Sequence, residues 1–581
     1  MSKADHGPAD EAPTQQISKR DSNLRLISSP LVSELDEKSR DRVQSAKLTF
    51  YGGPDVENLG LRYKDDDSYP EFIKHANSTN YELFYDLWFV ANLEVFSSSK
   101  GVSKESDLYA YVGYLSILWF TWFNVGMFDV RFVTDSLFER IIRTAHLGVM
   151  VGFSIVVTYF DPNDQQQSPF RILSYILMVS RLVLVIQYCT VLWHIRHYKK
   201  GKVHIAIAAL VHFIAAVVFL GISFRFEEGR NSRVYIVWYI VAACEALIQL
   251  GFAKFFKVLT FEKTHLTERM TVLTVIILGA GITSIAKNVV LIVKNAAGWT
   301  SATIGVLTSA IATMYFFFMI YFDWMNHHNL SSWRQLIWSI LHFPFHVCLL
   351  LFLEGATQFM IWWKVNELEN YVEDQFLGMI DRLSDGDTYI TSDVIVNELN
   401  KTITGIFEIY PTKYILTDER ISFLLADVKS LPQGLWDNGS AQYLKEEDQF
   451  QYDLVELIYA IINSLFVNFN IDPFVDMGPT DSNLLQDQAL TEINERYYTV
   501  FQYAYITAGL VLMLMTIMFA ATRKHGWTPF VIFRTALFGL MGLGLTLIEL
   551  ISQNEQRSLN YLFTPWLLPT ICIVFFVVLL L

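Results

Sequence analysis

The chain has 581 residues, of which 52% are apolar, 15% aromatic and only 18% charged, and its net charge is −14. An ordinary soluble domain carries about 25% charged residues, and several apolar runs here exceed the roughly 20 residues that cross a bilayer. These figures argue against a soluble helical core and for an all-α polytopic bundle of about twelve transmembrane helices with a small helical extramembrane insertion.

Residues 1–80 are rich in Ser, Asp, Glu, Lys and Arg and lack the continuous apolar core of a signal peptide. They read as a cytosolic, disordered tail. Transmembrane helices are expected over 81–99, 108–128, 137–160, 169–195, 203–224, 234–256, 270–293, 299–322, 335–361, 497–521, 529–551 and 561–581. The last runs to the final residue with no polar flank, so a truncated sequence is one expectation.

The first helix, YELFYDLWFVANLEVFSSS, carries Glu82, Asp86 and Glu94. Carboxylates are expensive in hydrocarbon, so they are expected to face protein or water. Glu82 and Asp86 lie four residues apart and share a face. Glu94 lies eight residues beyond Asp86, about 80° around the helix. Further ionisable groups interrupt later helices: Arg181, Glu245, Lys287, Glu354, Arg534 and Glu549, with His146, His212, His342 and His346. Asp86, Arg181, Glu245 and Lys287 are expected to form a buried polar core, with His146 and His342 as proton-active candidates. Such sets serve proton and ion pathways, and they also serve as helix-packing locks.

Basic residues set the orientation. Arg196, Lys199, Lys200 and Lys202 lie between helices 4 and 5; Lys257, Lys263 and Arg269 lie between 6 and 7; Arg523 and Lys524 lie between 10 and 11. All fall on one side, which makes the N-terminus cytosolic. Residues 364–495 hold 25 Asp or Glu against 7 Lys or Arg. They read as an acidic, helical, extracytosolic insertion between helices 9 and 10, with glycosylation candidates at Asn400 and Asn438. Asn77 and Asn329 also match the acceptor pattern, on the cytosolic side.

A parallel 6+6 repeat is a further expectation. Glu82, Asp129 and His146 recur in order as Glu268, Asp323 and His342. Each Asp follows a Phe that closes an aromatic-rich helix. No P-loop, HExxH, GxSxG or EF-hand pattern occurs, so no enzyme, metal or cofactor is expected. His327–His328 reads as an exposed turn, and Gly279, Gly281, Gly542 and Gly544 as close helix packing. Cys189, Cys244, Cys348 and Cys572 lie singly in apolar runs and read as free thiols. The basic residues flank membrane helices, which leaves nucleic-acid binding without support.

YELFYDLWFVANLEVF resembles the helix-1 signature of the low temperature requirement A family. HLTERMTVLTVIILGAG resembles its His-x-x-Glu-Arg segment, and FMIYFDW and LHFPFHVCLL resemble its Tyr-Phe-Asp and His-x-Pro segments. The long polar N-terminus and acidic insertion are similar to fungal members. Where bacterial members end the helix-7 run Gly-Glu-Ser, this chain has Gly279-Ala280-Gly281 and lacks that carboxylate. The resemblance implies an integral membrane protein linked by name to growth in the cold, and no defined molecular activity.

The expected function is transporter- or channel-like, moving protons, cations or a small solute through the buried polar core. The alternatives are a membrane scaffold or sensor with structural ion pairs and, more weakly, a lipid-directed enzyme. The expected location is the plasma membrane or an endomembrane, and the expected partners are the lipid bilayer, the moved species and further copies of the chain.

Overall fold

A computed structural model describes residues 26–31, 69–74, 78–99, 101–102, 104–227, 232–293, 299–325, 330–385, 389–413, 415–438, 443–469, 471, 485–523 and 526–581. The chain is built from α-helices. The first nine are α1 (Asn80–Ser99), α2 (Glu105–Phe132), α3 (Leu137–Val156), α4 (Gln167–His194), α5 (Lys202–Ser223), α6 (Ile236–Phe255), α7 (Leu266–Val293), α8 (Ser301–Met325) and α9 (Ser332–Asp385). Then follow α10 (Ser392–Ile409), α11 (Ile415–Ser430), α12 (Gly434–Asn438), α13 (Leu444–Asn468), α14 (Leu485–Thr522), α15 (Pro529–Ile548), α16 (Glu555–Leu562) and α17 (Leu567–Leu580).

Among the described residues, ten helices are long and apolar enough to cross a membrane, or eleven if the bent pair α16–α17 counts as one. The set differs from the expected twelve at three places. α1 and α2 fall outside it. α1 carries too many carboxylates, and α2 is instead the inner helix, buried almost continuously from Ala110 to Phe132. α13 falls inside it, yet 61% of its most apolar stretch is covered by protein, chiefly α9, α11 and α14. The helix expected over 561–581 breaks between α16 and α17 with a 78° bend.

The insertion has no sharp border. α9 runs unbroken for 54 residues, about 80 Å, from the bundle into the acidic segment. α14 re-enters the same way. The boundaries expected at 363/364 and 495/496 therefore fall inside helices. Hydropathy changes there, but the amphipathic period of VNELENYVEDQF continues the turn of the preceding apolar run. Arg420 and Glu456 close a buried ion pair at 3.1 Å between α11 and α13. Asn400 is exposed on α10, and Asn438 ends α12.

Successive helices alternate in direction, so the ends of α2, α4 and α6 and the starts of α1, α3, α5 and α7 share one face, here termed the N-terminal face. Two pieces of the tail pack there, against the expectation of disorder. Pro30 accepts a 2.8 Å hydrogen bond from the Ile73 amide, and Leu31 pairs with Phe72 in an isolated antiparallel bridge. Leu31 is buried, and Phe72 meets Phe132 edge-on at 4.8 Å. Apolar side chains inside a polar sequence are what order these stretches. Lys74 reaches the Glu262 carbonyl in the α6–α7 connection. Gly281 packs on Leu353 and Gly542 on Gly509, whereas Gly279 and Gly544 meet open space. Asn77, Asn329 and His327–His328 lie outside the described residues.

Candidate functional site

The polar first turn of α1 meets the polar first turn of α7. Glu82 and Asp86 lie one turn apart on α1, and His265 and Arg269 lie one turn apart at the start of α7. Arg269 is fully buried and is shared by three carboxylates. Its NH1 stands 3.3 Å from Glu82 and 3.2 Å from Asp129 at the end of α2, and its NH2 stands 3.3 Å from Asp86. Glu82 also binds His265 Nε2 at 2.9 Å and accepts from the Thr79 amide at 2.6 Å. The Trp122 indole donates to Asp86 Oδ1 at 2.6 Å. Gly126 faces the guanidinium, and a Cβ there would lie 3.4 Å from its carbon, in ordinary contact. Three acids thus share one permanent cation and one histidine. Asp86 Oδ2, the Tyr85 hydroxyl and Arg269 Nε are buried with no hydrogen-bond partner among the described residues.

A second cluster sits at the middle of the bundle. Arg181 of α4 donates through Nε to Glu245 of α6 at 2.9 Å and through NH1 to Thr121 of α2 at 2.9 Å. The other Glu245 oxygen meets His212 Nδ1 of α5 at 2.5 Å, and Asn124 donates to the same carboxylate at 3.1 Å. Gln249 closes the far side, 3.1 Å from His212 Nε2 and 3.2 Å from the Ala208 carbonyl. Here one acid faces one guanidinium, with a histidine in contact. Arg131, also buried, lies 3.9 Å over the Phe261 ring and donates to the Gln249 carbonyl at 3.5 Å.

A third set is neutral. The Trp119 indole donates to His346 Nδ1 at 3.1 Å, so the His346 proton sits on Nε2, 2.9 Å from Thr274 Oγ1. At the other end His342 Nδ1 lies 2.8 Å from the Trp338 carbonyl and must donate to it. His342 Nε2 then accepts from the Tyr321 hydroxyl at 3.0 Å. Thr274 joins the two halves, 3.1 Å from Tyr321 and 3.1 Å from the Met270 carbonyl. An indole that can only donate and a carbonyl that can only accept fix both tautomers. The indole leaves His346 Nδ1 without a proton, which makes His346 neutral, and the carbonyl places a proton on His342 Nδ1.

His146 of α3 differs. Its Nε2 lies 2.9 Å from the Gln187 carbonyl oxygen and donates to it, while its Nδ1 is buried with no partner. The Gln187 amide donates to Glu139 at 2.8 Å. Glu139–Gln187–His146 forms a chain from the N-terminal face inward, and the Glu139 end opens onto a water-sized cavity. A second cavity, near the opposite face, is lined by Glu94, Glu354, Tyr111, Ala280, Gly281 and Ser284.

Of the expected core residues, Glu82, Asp86, Asp129, His146, Arg181, Glu245 and His342 are buried. Asp86 pairs with Arg269, and Arg181 with Glu245. Glu354 is half-buried and holds Gln358 at 3.1 Å. Four positions, Glu94, Glu268, Lys287 and Asp323, do not join the core. Lys287 is 61% exposed and pairs with Glu94 near the opposite face. Glu268 is exposed beside Ser78, and Asp323 is exposed at the end of α8. Both sit at helix ends, where a single residue step turns a side chain by about 100° from the core. The Glu–Asp–His echo is thus not repeated in burial: the first set is inside, while only His342 of the second set is. Arg534 lies half-buried between the Phe519 and Phe538 rings.

Arg269, Glu139, Gln187 and Arg131 were not expected in the site. Arg269 reads as a loop charge because α7 starts one turn earlier than its hydropathy suggests. The matching four-residue spacings of Glu82–Asp86 and His265–Arg269 are the signal for it. Among the described residues no group of three or more His, Cys, Asp or Glu is arranged to hold a metal ion.

Residues 77–367 match a family model described as Bacterial low temperature requirement A protein (LtrA). No curated protein and no solved structure matches the chain. The matched span includes every member of the three clusters, whereas the acidic insertion and α14–α17 lie beyond it. Its apolar helices make the chain a multi-pass membrane protein, and its matched half makes it a member of the low temperature requirement A family.

Proposed function

We propose that the chain is transporter- or channel-like, and that it passes protons, small cations or a small solute along the polar groups between α1, α2, α3 and α7. One observation carries this reading. Among the described residues of α1–α7, five carboxylates are buried (Glu82, Asp86, Asp129, Glu139, Glu245) against three guanidiniums (Arg131, Arg181, Arg269). Two negative charges are left over. A buried, uncompensated carboxylate is strongly unfavourable, so exchangeable protons or cations must balance them. Protons have places to go: the carboxylates, and His146, His212 and His265 beside them. A site that needs two mobile charges to be neutral is suited to loading and unloading them.

The Lys and Arg bias supports an N-terminal face in the cytosol and an acidic insertion on the other side of the plasma membrane or an endomembrane. Exposed Asn400 would then be open to glycosylation. Loss of an endoglycosidase-sensitive gel shift in Asn400→Gln checks this orientation. The reading assigns no enzymatic activity.

The central test is flux in proteoliposomes made with the purified chain. Wild type should move protons or a monovalent cation, and Asp86→Asn should reduce that flux at least tenfold while the protein stays folded. Absence of any proton, cation or small-solute flux from folded wild type would sink transport. A second reading, a scaffold or sensor with structural ion pairs, is favoured by the balanced Arg181–Glu245–His212 cluster. It expects Asp86→Asn to alter stability alone.

A further inference from the structure

The Glu139–Gln187–His146 chain is roofed by a piece of the polar N-terminal region. Residues 26–31, LISSPL, lie across the gap between the end of α2, the start of α3 and the end of α4. The Leu26 carbonyl accepts from the Phe138 amide at 3.0 Å, and Ser28 donates to the Asp135 carbonyl at 3.2 Å. Pro30 and Leu31 are held by the 69–74 segment through the Ile73 hydrogen bond and the Leu31–Phe72 bridge. Ser29, Pro30 and Leu31 are buried, although Leu26 and Ile27 are exposed. The cavity behind is lined on its outer side by Ile27, Ser28 and Pro30, and on its inner side by Glu139, Gln187 and Thr190.

This geometry is unusual for a tail. Among the described residues, three backbone or hydroxyl hydrogen bonds and one bridge tie these six residues to their surroundings, and the Leu26 and Ile27 side chains stay outside. Yet they close the only lining of that cavity that is not part of a helix or a helix–helix turn. Glu139, which accepts from the Gln187 amide, is buried at the inner side of that cavity. A short non-helical segment lying over a polar, water-sized space has the geometry of a removable cover.

We propose that residues 26–31 are an intramolecular plug that closes the N-terminal-face mouth of the Glu139–Gln187–His146 chain, and that its displacement admits water and ions to Glu139. Closure is a statement about access; its effect on flux rests on the transport reading above. Negative charge on the serines weakens the plug, because Ser29 is buried and both Glu139 and Asp135 lie at the same mouth. The ends of the plug are joined to further chain on both sides, so an event elsewhere in the polar region has a mechanical route to it.

The test measures access and flux separately, on the full chain in lipid nanodiscs and proteoliposomes. Carboxyl footprinting with a water-soluble carbodiimide and glycine ethyl ester is read by mass spectrometry at Glu139. Exposed Glu262 on the same face serves as the internal standard. Ser29→Glu should raise Glu139 labelling relative to Glu262 at least tenfold. Leu31→Cys with Phe72→Cys, in a background with the four native cysteines replaced, places a disulfide across the bridge. Oxidation should hold Glu139 labelling at least fivefold below the reduced form. Equal labelling in the oxidised and reduced forms overturns the plug, and so does a wild-type Glu139 that labels as fast as Glu262. If Ser29→Glu fails to fold, the disulfide pair decides alone. If Glu139 opens as expected but flux is absent in every form, the plug stands and the transport reading falls.

Discussion

The two charged clusters use the same residue types to opposite ends. Around Arg181 one carboxylate meets one guanidinium, and Thr121, Asn124 and His212 bond to the pair, although Arg181 NH2, Asn124 Oδ1 and Gln249 Oε1 have no partner among the described residues. Around Arg269 three carboxylates meet one guanidinium, and Asp86 keeps an oxygen with no hydrogen-bond partner among the described residues. The first can be neutral as it stands. The second cannot, unless protons or cations join it. A balanced pair fixes how helices pack, whereas an unbalanced one also stores a demand for charge. This difference, more than the presence of buried charge, separates a lock from a site.

Arg269→Gln should give the largest effect. It leaves Glu82, Asp86 and Asp129 together without their cation, and removing one partner of a buried pair costs about 3–5 kcal/mol even for a single carboxylate. Little folded protein should survive in detergent by fluorescence-detected size exclusion, and Asp86→Asn in the same chain should recover only part of it. Recovery to wild-type level by that one change would show that the cluster behaves as a simple pair.

The central cluster should respond differently to removal of both partners. Arg181→Met alone and Glu245→Leu alone should each lower stability by about 3–5 kcal/mol. The double substitution should come within about 1 kcal/mol of wild type or exceed it, because apolar residues of similar volume replace a buried pair with little loss. Thermal unfolding of the three variants forms the cycle. Additive losses in the double variant would show that the two residues act apart.

Asp86→Asn by itself should be nearly neutral or stabilising, since it removes one surplus charge while keeping the shape and the acceptor for Trp122. A stability loss above about 2 kcal/mol, the scale of a lost charged hydrogen bond, would place Asp86 with the structural ions. Lys287→Gln should do least. The pair with Glu94 is exposed, and such pairs contribute about 0–1 kcal/mol. A larger loss would mean that the opposite face is more enclosed than its exposure indicates.

Much of this architecture was legible before any coordinates. The apolar runs located α3–α9, and the cost of charge in hydrocarbon marked Asp86, Arg181, Glu245 and His146 as inward-facing. Partner choice was not legible, because it depends on which helices are neighbours. Asp86 could have met Arg181 as readily as Arg269 on sequence alone. Arg269 itself was hidden in a polar turn that looks like a loop until Glu82 and Asp86 are seen to cover it. Lys287 and Asp323 sit among apolar residues, which reveals the helix but not the side it turns. The tail hid its plug for a related reason: LISSPL is too short for a periodic signal, and only its contact with Phe72, Asp135 and Phe138 gives it structure.

The unbroken length of α9 has a mechanical corollary. Pro344 lies between His342 and His346, and a proline inside a helix removes one backbone hydrogen bond and favours bending at that point. From Pro344 to Asp385 the helix extends about 60 Å. About half of that length, as far as residue 363, is packed in the bundle, and the rest stands in the acidic cap. A change of about 5° in the direction of the outer part, about 30 Å long, moves its tip by about 3 Å, so one continuous rod joins the Tyr321–His342 and Trp119–His346 contacts to the far end of the molecule.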